Sequence, residues 1–165
     1  MIGGVIALVL ASASQQPAIT SRYAKLSSCR LWKAGDVSKG PSEDWGIQRC
    51  RGLDGYPVWI GIREGTRMNF GFGKRPSLSG IFETGRNADW PIEWRGRVVK
   101  GLFVPSAAIV RIRARFDDSG ASDLAVFHLL DDGTSCAYPT TIATNAEARK
   151  IADAVPSKDN CYVGP

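Results

Sequence analysis

Apolar and polar residues alternate along most of this chain, and one late stretch abandons alternation for a helical spacing. Period two marks a strand with one buried and one wet face. The clearest case is 107–116, where Ala108, Val110, Ile112, Ala114 and Phe116 point one way and Arg111, Arg113 and Arg115 the other. The polar run from Asp117 to Ser122 reads as a turn, and Asp123 to Leu130 as the returning strand. Asp131-Asp132-Gly133 then turns the chain into a short strand around Cys136.

A second pair of segments predicts a hairpin. Val58, Ile60 and Ile62 alternate with Trp59, Gly61 and Arg63, and Met68, Phe70 and Phe72 alternate with Asn69 and Gly71. Both apolar sets carry even numbers, so they share one core only across a loop with an odd number of residues. Glu64-Gly65-Thr66 meets that condition. The register it implies sets Arg63 opposite Arg67, with Trp59 on the same outer face and exposed.

Further strands are expected at Tyr23–Lys33, at Trp45–Arg51 and at Trp90–Val98, the last carrying Glu93, Arg95 and Arg97 on one face. Ala34 to Asp44 and Gly73 to Ala88 read as polar, Gly-containing excursions. The one helix has a complete signature. Thr144 stands at the cap with Glu147 three residues later, and Ala148, Ile151, Ala152 and Val155 form one apolar stripe before Pro156. The expectation is mainly β: an antiparallel sandwich or partly open barrel of about seven short strands, with one C-terminal helix at 145–155. A parallel α/β sheet is excluded, because its crossovers need helices that this pattern lacks.

The first thirteen residues break the pattern. Met1 to Ala13 has no charged side chain; Ile2, Val5, Ile6, Leu8, Val9 and Leu10 form an apolar run, and Ala11-Ser12-Ala13 supplies a small-x-small cleavage pattern. The n-region carries only the terminal amine, where Lys or Arg is usual. The run is too short for a bilayer span of about 20 residues. Residues 1–13 therefore read as a signal peptide and 14–165 as a single β-rich domain, periplasmic or secreted, with no transmembrane segment.

Export changes the meaning of the four cysteines. Cys29, Cys50, Cys136 and Cys161 are an even set, and in an oxidising compartment they predict two disulfides. Three pairings are formally open. Cys29–Cys50 with Cys136–Cys161 is preferred, because each pair brackets a loop-rich segment of similar length. Zinc is the weaker reading, since no Cys-x-x-Cys occurs and His128 is the only histidine. No metal and no cofactor is expected.

Three stretches resemble a group of small, uncharacterised exported proteins of alphaproteobacteria. They are Arg49-Cys50-Arg51-Gly52-Leu53-Asp54-Gly55-Tyr56, Asn87 to Arg95, and Ile109 to Phe116 with its polar turn, followed by a late Cys, a helix and a final Cys. The resemblance implies a periplasmic address and a disulfide-bonded β fold, and brings no activity with it.

Candidate chemistry is sparse. Asp118-Ser119-Gly120-Ala121-Ser122 is similar to the catalytic loop of retroviral-type aspartic proteases, in which two carboxylates share a proton. Asp117 directly before it and the absence of a later apolar pair before glycine favour a hairpin turn, so a hydrolase built on Asp118 stands as the alternative. His128 is expected opposite Arg111 if Ile112 pairs with Phe127, and no Gly-x-Ser-x-Gly accompanies it. Gly71-Phe72-Gly73-Lys74-Arg75 lacks the Ser or Thr and the helix of a phosphate loop.

What remains is charge. The net charge is +5, and three arginines in a row on one strand face are more basic than a solvated strand requires. Arg111, Arg113 and Arg115, with Arg95 and Arg97, are the expected anion-binding face, and Trp59 beside Arg63 has the composition of a binding hot spot. The expected activity is a non-enzymatic binding or inhibitory module of the envelope. Outside the cytosol the expected partner is an anionic glycan, a lipid headgroup or an acidic protein surface, and not nucleic acid. An inhibitor of a cationic hydrolase fits the size, but the positive charge argues against it.

Overall fold

A computed structural model describes residues 17–34, 45–53, 55–63, 67–83, 91–113, 122–157 and 160–162. The leader at 1–13, the Glu64–Thr66 loop, Arg115 and the Asp118-Ser119-Gly120 loop lie outside them. The described residues form ten strands and one helix. In chain order they are β1 (Thr20–Lys25), β2 (Ser27–Ala34), β3 (Trp45–Leu53), β4 (Tyr56–Arg63), β5 (Arg67–Phe72), β6 (Ser79–Glu83), β7 (Pro91–Val99), β8 (Leu102–Arg113), β9 (Ser122–Leu129), β10 (Ser135–Ala137) and α1 (Asn145–Asp153). They make two five-stranded antiparallel sheets, β1-β7-β8-β9-β10 and β2-β3-β4-β5-β6, packed as a sandwich.

The predicted hairpin has the register its parity demanded. Val58 pairs with Phe72, Ile60 with Phe70, Ile62 with Met68 and Arg63 with Arg67. The buried set of this hairpin meets Trp94, Val110, Ile112 and Phe127 of the other sheet. Phe72 is the hub, with ring centroids 5.5 Å from Trp94 and 4.8 Å from Phe127. Such aromatic contacts add specificity to the apolar area that drives the layers together.

Three departures from the sequence pattern matter. The expected strand at Tyr23–Lys33 is two strands in different sheets, broken at Leu26, which is buried where the chain crosses between layers. The Gly73–Ala88 excursion contains β6, paired to β5 from Ser79 to Glu83. β8 begins at Leu102, and a two-residue turn at Lys100–Gly101 joins it to β7. The first two departures each add a strand and the third lengthens one, and the described residues hold ten strands where about seven were expected.

A serine cluster fastens the far edges of the two sheets. Ser135 Oγ accepts from the Phe72 amide at 2.8 Å, and the Ser135 amide donates to Ser77 Oγ at 2.9 Å. Ser77 and Ser79 hydroxyls donate to the Ser135 carbonyl at 3.1 and 3.3 Å. These contacts satisfy polar groups at a boundary where the strand ladder ends.

Helix α1 lies on the outer face of the β1-β7-β8-β9-β10 sheet. Thr144 caps it, its hydroxyl accepting from the Glu147 amide at 3.3 Å. Ala148 and Ala152 pack with Ala107, Ile109, Leu124, Val126 and Ile142 in a second core. The helix ends at Asp153 instead of 155, and Val155, expected in the stripe, is 86% exposed. Pro156 disfavours helical backbone at the residue before it.

Both preferred disulfides are present, Cys29–Cys50 and Cys136–Cys161. The first joins neighbouring strands β2 and β3 at a bulge. The second ties the tail behind the helix to β10, where Ala137 and Tyr162 also pair.

Candidate anion-binding site

The sandwich separates the residues that the sequence grouped together. Arg95, Arg97 and Arg111 belong to one sheet, and Trp59 and Arg63 to the other. Outer faces of stacked sheets look in opposite directions, so Arg95 and Arg111 do not share a surface with Trp59. The separation follows from pairing order, which alternation within one strand does not encode.

Arg95 already has a partner. Its Nε and Nη2 donate to the two carboxylate oxygens of Asp153 at 2.8 and 2.6 Å, and its Nη1 donates to Ser21 Oγ at 2.5 Å. Beside it, Arg149 Nε and Nη2 donate to Glu93 at 2.7 and 3.1 Å, and Ser21 Oγ donates to the same carboxylate at 2.5 Å. Burial alone would raise the Glu93 carboxyl. The bonds from Arg149 and Ser21 and the charges of Arg149 and Arg95 outweigh it and hold the group below its ordinary value. Asp153 in turn raises Arg95. This network docks α1 on the sheet, so the two charges serve the fold.

The rest of the expected row is divided. Ala107 and Ile109, on the outer side of β8, are buried under the helix, and exposure begins only at Arg111. Arg113 pairs with Ser122 through its backbone; its side chain and Arg115 lie outside the described residues. Arg97 lines a cleft of about 420 Å³ with Lys74, Ser106, Asp131 and Thr134. His128 faces Ala107, not Arg111, because Ile112 pairs with Asp123 and Ala108 with Phe127. It is 1% exposed, and burial pushes its imidazole down from the ordinary value.

Trp59 occupies the outer face of β4 as its parity requires, yet it is buried. Gly61 and Gly71 leave that face without side chains on either side of it. The chain between β5 and β6 folds back into the space: a Cβ at Gly71 would collide with the Ser77 carbonyl, and one at Gly61 would come within 2.6 Å of Leu78 Cδ1. Trp59 Nε1 donates to the Gly73 carbonyl at 3.0 Å. On its other side stands Trp32, edge to face at 5.2 Å.

Trp32 is the exposed tryptophan of this pair. The register of β2 against β3 slips between Leu31 and Lys33, and Trp32 is the extra residue of that bulge. Half exposed, it borders an open cleft of about 620 Å³ lined also by Arg30, Arg49, Arg51 and Tyr56, with no acidic side chain among the described residues of the lining. Arg30 and Arg49 are direct cross-strand partners, and Arg49 is in turn opposite Trp59. The Arg49 guanidinium carbon lies 5.7 Å from the Trp59 ring centre. The Cys29–Cys50 bridge lies behind it, where Cys50 points inward and sends its neighbours Arg49 and Arg51 outward.

That last relation is the signal by which these arginines were findable. A buried cysteine at 50 places 49 and 51 on the opposite face by period two. Trp32 had no such signal, because a bulge resets the alternation.

Guanidinium groups around an aromatic ring suit a planar oxyanion, held by guanidinium forks while an apolar portion lies on the ring. Among the described residues no group of three or more His, Cys, Asp or Glu could hold a metal ion, and no helix is long and apolar enough to cross a membrane. No protein-family model, curated protein or solved structure matches the chain.

Proposed function

We propose that this protein is an exported, non-enzymatic binding module of the cell envelope that receives an anionic partner on the outer face of the β2–β6 sheet. The observation that carries the reading is the clustering of Arg30, Arg49, Arg51 and exposed Trp32 around one cleft, with no carboxylate among the described residues that line it. Export is supported by the apolar leader with Ala11-Ser12-Ala13, by the resemblance to alphaproteobacterial exported proteins, and by two disulfides, which belong to an oxidising compartment. A β sandwich stapled at the cleft itself presents these side chains with little freedom to lose on binding.

The test is titration of residues 14–165 with a polyuronate and with inorganic polyphosphate, followed by tryptophan fluorescence at low and physiological salt. Binding is expected to weaken with salt, since exposed charge contacts are screened within about 8 Å at physiological ionic strength. Arg49→Gln is expected to weaken binding about tenfold and Trp32→Ala to remove most of the fluorescence response. Failure of both polyanions to bind at low salt, or unchanged affinity in Arg49→Gln, would remove the basis of the reading.

A further inference from the structure

The turn between β7 and β8 stands at one pole of the sandwich, and its surface is the wrong kind for water. Val99 pairs with Leu102, Val98 with Phe103 and Arg97 with Val104. Lys100 and Gly101 close the hairpin with φ of +51° and +80°, the left-handed pair that a two-residue turn demands. Leu102 is 72% exposed, and Val98, Val99 and Val104 are each more than 40% exposed. Successive residues face opposite ways, so Val98 presents one side of this finger and Val99 with Leu102 the other.

We infer that this finger inserts into the headgroup region of an anionic bilayer. An element that is apolar on both sides is half covered by a flat protein surface and fully covered by a medium that surrounds it. Cations are placed for that medium. Lys100 forms the tip, where its long stem reaches back to phosphates while the valines and leucine sit deeper. Lys74 and Arg97 line the cleft at the root, with Asp131 as the one acidic side chain among the described residues of that lining. The root is braced, because Phe103 packs against the core with the Arg22 guanidinium 4.8 Å above its ring. The first residue of β1, Thr20, pairs with Gly96 close to this turn. The finger and the arginines of the other cleft are carried by different sheets.

The experiment is co-sedimentation of residues 14–165 with vesicles of phosphatidylglycerol and phosphatidylethanolamine, against vesicles of phosphatidylcholine alone. The protein is expected to pellet with the anionic vesicles and to remain largely in solution with the neutral ones. Leu102→Glu is expected to lower vesicle affinity at least tenfold, and Leu102→Trp to show a vesicle-dependent blue shift in emission that the unaltered protein lacks. Arg49→Gln is expected to pellet like the unaltered protein. The inference is overturned if the unaltered protein stays in the supernatant, if Leu102→Glu pellets equally well, or if Leu102→Trp shows no shift. Loss of pelleting in Arg49→Gln alone would assign the lipid to the arginine cleft. A dimer that Leu102→Glu dissolves, without vesicle binding, would assign the finger to a second copy of the chain.

Discussion

Arg95 on β7 and Asp153 in the last turn of α1 meet through two parallel bonds, Nε to one carboxylate oxygen at 2.8 Å and Nη2 to the other at 2.6 Å. The contact spans 58 residues of chain and, with the Glu93–Arg149 pair next to it, holds a nine-residue helix on a sheet. A helix that short owes little to intrinsic propensity; packing and docking contacts decide whether it forms.

Glu93 gives this network a pH signature. Its carboxyl is held below the ordinary 4.5 in the folded chain, so the unfolded chain takes up the proton first as pH falls. The stabilisation is complete above the ordinary value and disappears as pH falls through the lowered one. Glu93→Gln should cost about 2 kcal/mol at pH 7, because it removes the charge-assisted bonds that the buried carboxylate accepts from Arg149 and Ser21. Urea midpoints of the two proteins should converge progressively as pH falls below 4.5. A constant gap over that range would show that the charge of Glu93 is irrelevant.

His128 titrates elsewhere. Burial keeps its imidazole neutral below the ordinary 6.5, and its Nε2 has no hydrogen-bond partner among the described residues. Stability should therefore fall as pH drops below 6.5. His128→Leu, which fills a similar space without a proton site, should flatten the stability curve just below pH 6.5. An unaltered slope in the variant would place the titration on another group.

The Cys136–Cys161 bridge closes 25 residues that include α1. Loop-closure entropy puts its contribution at about 3 kcal/mol. Cys136→Ser with Cys161→Ser should lower the unfolding free energy by that amount, and should expose the Ala137–Tyr162 pairing to hydrogen exchange. Wild-type protection of the Ala137 amide in the double variant would show that the tail docks without its staple.

Trp59 is buried only because Gly71 lets the Ser77 carbonyl approach. Gly71→Ala should push the β5–β6 connection away at a cost of about 2 kcal/mol. Tryptophan emission should shift to the red as Trp59 gains water, and iodide should quench it more strongly. Emission identical to that of the parent would mean that the connection does not cover the ring.

Local alternation was sufficient to identify the β4–β5 hairpin and its register, because an odd loop is the one solution that keeps Val58, Ile60, Phe70 and Phe72 on a common face. The helix start was legible for a similar reason: Thr144 and Glu147 satisfy the first turn with side chains three residues apart. The disulfide partners could be preferred from spacing, and the apolar side of β8 from its period. All of these depend on neighbours within a few residues or on the count of a single residue type.

Tertiary structure alone decided which faces meet and which stay wet. Tyr23 to Lys33 reads as one strand until Leu26 carries it across the sandwich, and no residue in it announces a change of sheet. Arg95 reads as free charge until Asp153 arrives from the far end of the chain. Trp59 reads as exposed until two glycines admit a connection over it, while Trp32 is brought to the surface by a bulge that period-two reasoning cannot anticipate. Alternation along a strand specifies two faces, but the identity of whatever covers each face is set by contacts between residues distant in sequence, and that information resides in the packed fold.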